Sequence, residues 1–218
     1  MIKKKIIKKH RNMSYFIDAA SKIMDEEGIQ AITIRKVADI AGYNSATLYN
    51  YFENLDELIL YASIRHLKEY TFSLSQYLKA LHNNIDKYYE IWKYFCKYSF
   101  SSPKIYNIIF FGKHSDSISN IIEEYYSIFP EELGDYSEEL LPMLLKSNLY
   151  ERNLILLKTL SADGYLKEEY LNDINEMTIL LYHGMLTKIL NSGETLNVEE
   201  CSETMLRYIK QITASFKN

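Results

Sequence analysis

Between positions 45 and 50 the chain reads SATLYN, and these residues carry the chemistry that most constrains a function. The Asn50 amide can make two hydrogen bonds to the edge of adenine, and the methyl groups of Ala46 and Thr47 can meet the methyl of thymine. Ser45 adds a small hydroxyl. No arginine stands here to fork onto guanine, so a reader built from Ser45, Ala46, Thr47 and Asn50 leans toward A·T pairs. Around it lie groups suited to phosphate oxygens: Thr33, Lys36, Tyr49 and Tyr51, and, from a basic N-terminal run, Lys8 and Lys9. That run holds Lys3, Lys4, Lys5, Lys8, Lys9 and Arg11 without an acid. It reads either as a solvated tail or as an arm reaching phosphates.

Such residues must be held by short, crossed helices. Thr33 is a good N-cap for a helix over 34–41, with Val37, Ile40 and Ala41 facing inward. Gly42 breaks it, and Asn44 can cap a second helix from 45 to 51 or 52. So short a connection forces a large crossing angle. Ala38 permits close approach, and Val37, Leu48 and Phe52 fill the wedge. A preceding helix over 12–27 has Met13, Phe16, Ile17, Ala20, Ile23 and Met24 on one face, with Gly28 placed for a left-handed stop. An ordinary corner in a helical bundle would use similar spacing. Against it stand the shortness of the second helix, its small and polar outward residues, and the basic run in the same segment.

Charge is divided accordingly. Residues 1–55 hold nine basic and six acidic side chains, leaving sixteen basic and twenty-three acidic in the remainder. A basic end on an acidic body suits a protein that touches a polyanion at one end. Other chemistry finds little support. His66, His82, His114 and His183 lack ligand spacing, so no metal and no cofactor is expected. No nucleophile, phosphate-loop or dinucleotide motif occurs, and the protein is read as not an enzyme. Cys96 and Cys201 read as buried reduced thiols. No apolar run is long enough to span a membrane, and a cytoplasmic location is expected. The 20 tyrosines accompany abundant Ile, Lys and Asn, as an AT-rich genome favours, and point to no ligand.

Gly28, the segment 32–38 (ITIRKVA), Ala41-Gly42, Thr47-Leu48-Tyr49, Tyr51-Phe52 and Asp56-Glu57-Leu58-Ile59 closely resemble the N-terminal domain of the TetR family of bacterial transcription regulators. The resemblance covers about residues 12–62. Tyr43 stands where the family usually has a small aliphatic residue, and Leu55 where it has a phosphate-contacting lysine. The resemblance implies an all-α chain of nine to ten helices: a three-helix helix-turn-helix domain over 1–55, and a ligand-binding and dimerisation domain over 56–218.

In that second part, periodicity predicts helices over about 56–81, 85–100, 103–111, 115–129, 138–163 (with a break near Pro142 or Ser147), 167–191 and 198–216. Ser102, Ser115 or Asp116, and Asn197 with Glu200 serve as caps, and Gly112, Gly134, Gly164 and Gly193 as stops or turns. Trp92, Phe95, Phe110, Phe111, Tyr125 and Tyr126 are either plain core or the wall of a pocket for an apolar or amphipathic small molecule. The resemblance favours a pocket in this region without choosing its residues. It also implies a homodimer through the helices over 138–163 and 167–191, where Leu156, Leu160, Leu180, Gly184 and Met185 are candidates. The implied partners are a roughly palindromic DNA operator, a second copy and a small ligand, with no membrane. The implied function is a repressor released by that ligand; a nucleoid- or division-associated DNA binder without an inducer is the alternative.

Overall fold

The computed structural model describes residues 2–112, 121–133, 140–192 and 196–218. All of its extended elements are helices. Among the described residues the sole β pairing is a single bridge between Leu166 and Lys217. The expected cap at Ser115 or Asp116, the glycines at 134 and 193, and His114 lie outside the described residues.

The first helix, α1 (Ile2–Glu27), is longer than expected. The basic run is not an extended tail but about three further helical turns, because neither glycine nor proline interrupts it. Beyond Gly28 and a 3-10 turn come α2 (Ile34–Ala41) and α3 (Ser45–Leu48). Gly28 has a positive φ of 87° with an extended ψ of 164°, so it redirects the chain without being a left-handed cap. Phe16, Val37, Leu48 and Phe52 are fully buried and close the three-helix core. Ile40, expected inward, is 47% exposed, since it falls on the outer face of a helix too short to bury two sides.

Next come α4 (Leu55–Ile64) and α5 (Leu67–Tyr77), where a single helix was expected. The break has no glycine or proline. The backbone tightens through His66 N–H to Ser63 O (3.1 Å) and Lys68 N–H to Arg65 O (3.0 Å), the i→i+3 pattern of 3-10 structure. Both side chains at the break are drawn toward α1: Arg65 to Asp18 and His66 to Asp25.

The body continues with α6 (Asn84–Ser101), α7 (Pro103–Phe111), α8 (Ile121–Ile128), α9 (Leu141–Leu144), α10 (Leu149–Ala162), α11 (Leu171–Ser192) and α12 (Val198–Ser215). Pro142 opens the short α9, and the Asn148 side chain caps α10 by accepting from the N–H groups of Tyr150 (2.8 Å) and Glu151 (3.4 Å). Asn197 caps α12 in the same way, while Ser102 makes no side-chain cap ahead of Pro103. The body is held by aromatic packing. Phe95 touches the rings of Tyr70, Trp92, Tyr106, Phe110 and Tyr182 at centroid separations of 5.1–5.6 Å. A polar thread runs through it: Trp92 Nε1–H donates to Asn153 Oδ1 (2.9 Å), Asn153 Nδ2 to Asn175 Oδ1 (2.9 Å), and Asn175 Nδ2 to Tyr150 O (3.0 Å). It ties α6, α10 and α11 at a fixed register, since slippage would leave buried amides unpaired.

Candidate nucleic-acid interface and the site behind it

The reading segment is built from its caps outward. Thr33 Oγ1 accepts from Lys36 N–H (3.3 Å) and starts α2. Gly42 ends it at φ 76° and ψ 28°, a left-handed conformation that an L side chain resists. Asn44 Oδ1 then accepts from both the N–H (2.9 Å) and the hydroxyl of Thr47 (2.9 Å). The Thr47 hydroxyl is therefore committed to the cap, and its methyl is what remains to offer. Ala46 and Asn50 are exposed, and Ser45 and Thr47 are partly so. Helix α3 stops at Leu48, so Tyr49 and Asn50 lie in the turn that follows rather than on a continuing helix.

The phosphate candidates divide. Tyr49 is 54% exposed, and Lys8 is exposed. Tyr51 is held in place, its hydroxyl accepting from Asn12 Nδ2 at 2.6 Å. Lys36 pairs with Glu27 of α1. Lys9 turns to the body and pairs with Glu124 of α8 at 2.8 Å. Tyr43 packs on Phe16 (ring centroids 5.2 Å) and donates its hydroxyl to Asn12 Oδ1 (3.3 Å). Asn12, which periodicity alone does not single out, thus joins the two tyrosines that flank α3. Leu55 is the first residue of α4, half-buried against the core. The cap of α4 is Asn54, whose side chain accepts from Glu57 N–H (2.9 Å). The spacing of Asn54 and Glu57 is a capping signal that the sequence reading passed over.

Behind this head, α4 connects to both α1 and α8. The Tyr61 hydroxyl donates to Glu124 (2.6 Å). Arg65 bonds Asp18 (2.6 Å), pairs with Glu132 (3.2 Å) and lies over the Phe129 ring (4.7 Å). Burial would raise the Glu124 carboxyl pKa, but hydrogen bonds from Lys9 and Tyr61 outweigh it and hold the group below its ordinary value. Burial and the Glu132 carboxylate, to which its hydroxyl donates at 2.5 Å, push the Tyr125 phenol up.

The six aromatic pocket candidates do not form one wall. Trp92 and Phe95 line a cavity of about 20 Å³ together with Tyr70, Leu156, Arg152 and Asn153. Phe110, Phe111, Tyr125 and Tyr126 stand outside it. Phe111 stacks flat on His183 at 3.9 Å, and Tyr125 belongs to the Arg65–Glu132 junction. The dimer candidates divide as well. Leu156 and Leu160 are buried within the subunit, because α10 turns those positions toward its core. Leu180 is 56% exposed, Gly184 is exposed and Met185 half-buried. A Cβ at Gly184 would meet nothing within 4 Å, so no close approach inside the subunit explains that glycine. Among the described residues no cluster of His, Cys, Asp and Glu suits a metal, and no helix is long and apolar enough to cross a membrane. Cys96 and Cys201 are buried and unpaired with each other.

Residues 16–62 match the family model described as bacterial regulatory proteins, tetR family. A helix-turn-helix-type transcriptional regulator of Staphylococcus aureus is 24% identical over 136 residues, which cover 60% of this chain and 74% of that protein. The fold is similar to that of Thermus thermophilus FadR, a TetR-family transcriptional repressor solved with lauroyl-CoA: TM-score 0.61, 14% identity, 91% of this chain and 93% of that one. It is also similar to RolR in complex with resorcinol: TM-score 0.51, 14% identity, 95% and 93% covered. Residues 16–62 thus carry the helix-turn-helix domain of the tetR family of bacterial regulatory proteins, and the chain has the fold of these transcriptional regulators.

Proposed function

We propose that the protein is a homodimeric repressor, lifted from a roughly palindromic operator by a small apolar or amphipathic ligand. The observation that carries this reading is the position of α4. Its Tyr61 shares Glu124 with Lys9 of α1, and Arg65 at its end bonds Asp18 of α1 and Glu132 beyond α8. A rearrangement of the body therefore alters the polar contacts that fix the reading head. The ligands held by FadR and RolR support a ligand for this chain on the same fold. Leu180, Leu181 and Gly184, exposed along α11, offer the surface through which two copies pair.

Each subunit would set Ser45, Ala46, Thr47 and Asn50 against base edges in one major groove. Thr33, Lys36, Tyr49, Tyr51 and Lys8 would lie along the phosphates; for Lys36 this requires exchanging Glu27 for a phosphate. The division between the head, 1–55, and the body, 56–218, falls at the start of α4. A coupling of about 1–3 kcal/mol between ligand and operator would weaken binding roughly 5- to 150-fold.

Binding selection with the full chain, followed by gel shift on the DNA upstream of its own gene, tests the reading. The expected consensus is a two-fold, A·T-leaning site. Asn50→Ala should lower affinity for it by about 1–3 kcal/mol and relax one A·T position per half-site. A G·C-rich consensus, or an Asn50→Ala protein with unchanged preference, defeats the base-reading assignment. Many dispersed sites across a genome, with none beside its own or a neighbouring gene, would favour the nucleoid-associated alternative.

A further inference from the structure

Arg152 is the one arginine that the fold buries almost completely, at 3% exposure. It lines the cavity bounded by Trp92, Phe95, Tyr70, Asn153 and Leu156. Its Nε–H donates to Lys146 O (2.5 Å) and its Nη2 to Leu144 O (2.7 Å), one carbonyl in the last residue of α9 and one just past it. The Phe110 ring lies under the guanidinium at 5.0 Å. Among the described residues Nη1 has no hydrogen-bond partner. Among the described residues no carboxylate lies within ion-pair distance, and the groups that face it electrostatically are the phenols of Tyr70, Tyr106 and Tyr126. The Tyr106 hydroxyl, in the same cluster, is likewise buried without a partner.

A guanidinium taken out of water without a counter-ion is among the costliest groups a core can hold. Fastening two carbonyls explains Nε and Nη2, but a neutral glutamine, whose amide also has two N–H donors, could serve such a role at lower desolvation cost. It does not explain a permanent charge or the idle Nη1. We propose that Arg152 is the counter-ion for the ligand of this regulator, and that the ligand is a small amphipathic monocarboxylate whose head meets Nη1 and whose apolar part lies along Trp92 and Phe95. The function of such binding rests on the ligand-release reading above; the binding itself does not. One buried positive charge matches one negative charge, and a dianion would leave net charge stranded among aromatic rings. As it stands, the cavity of about 20 Å³ has room for one water-sized group. The tail therefore enters by displacing side chains, and Met143, unbranched and on the cavity wall, is suited to yield.

The full-length protein should be titrated with benzoate, phenylacetate, octanoate and decanoate, each beside its primary amide. Trp92 is the chain's sole tryptophan and lines the cavity, so its emission reports occupancy directly. At least one acid should shift that emission and raise the melting temperature, binding about 10-fold or more tighter than its amide, as expected of a charge-assisted hydrogen bond. Arg152→Gln should bring acid and amide to equal affinity. Arg152→Lys, which keeps the charge, should retain the preference, and serves if the glutamine variant folds poorly by circular dichroism. Equal binding of acids and amides, no response to any acid, or a preference that survives Arg152→Gln overturns the proposal. A parallel gel shift separates the two readings. An acid that binds through Arg152 but leaves operator affinity unchanged ends the ligand-release reading and leaves the anion site standing.

Discussion

Gly42 is where one backbone angle decides the geometry of the reading head. At φ 76° it turns α2 into the cap of α3, and a Cβ there would meet nothing within 4 Å. Replacing it by alanine therefore introduces no clash, only the left-handed penalty of about 1–2 kcal/mol for an L residue. Urea unfolding of Gly42→Ala should show a loss of that size with an unchanged m-value; a loss of several kcal/mol would mean that the neighbours, not the dihedral, set the requirement. Tyr43, next to it, has a different task. Its ring covers Phe16 and its hydroxyl reaches Asn12, so a bulky residue fits after the turn because α1 offers a place for it. Asn12 and Arg152 illustrate what residue types conceal. Each reads as an ordinary polar position on a helix, and only the chain's return in three dimensions gives one two tyrosines and sets no described carboxylate beside the other.

At the scale of elements, the break between α4 and α5 sets His66 between Asp25 of α1 and its neighbour Arg65. Burial lowers its pKa more than Asp25 restores it, and Arg65 adds to the lowering. The folded protein thus binds this proton less readily than the unfolded chain, whose imidazole titrates near 6.5. The resulting stability is present above about pH 6.5 and is lost as pH falls through the lower folded value. The melting temperature should therefore drop between pH 7.5 and 5.5, and His66→Gln should reduce that drop. An identical drop in the variant would place the titrating group elsewhere. This break was not legible in the sequence, because the apolar period runs through it and no glycine or proline marks it. The helix-turn-helix was legible because local rules write it out: Thr33, Gly42 and Asn44 act through backbone groups within a few residues of themselves. The aromatic candidates of the body were legible as buried, Phe111 only partly so, but not as a wall. Helical spacing says which side chains share a face, yet it was tertiary packing that sent Trp92 and Phe95 to the cavity, Phe111 to His183 and Tyr125 to Arg65.

For the whole molecule, the division of charge and the exposed face of α11 belong to one arrangement. Nine basic against six acidic residues in 1–55, on a body with sixteen against twenty-three, suit a head that faces a polyanion. On the proposed reading one head covers a half-site, and affinity then depends on a second copy holding another head at a fixed spacing. Leu180 and Leu181 are exposed on the subunit, and Gly184, one turn on, has open space where its side chain would be. This is the composition of a helix face on which another helix can settle closely. If copies pair as proposed, Leu180→Glu should leave the subunit folded, because the residue contributes little to its core, while sedimenting as a monomer and weakening operator binding steeply. Leu160→Ala provides the contrast: fully buried inside the subunit, it should cost about 2–5 kcal/mol of stability without a comparable change in subunit association under native conditions. Should Leu180→Glu sediment as the unsubstituted protein does and bind the operator equally well, the pairing surface lies elsewhere, and Gly184 needs another explanation.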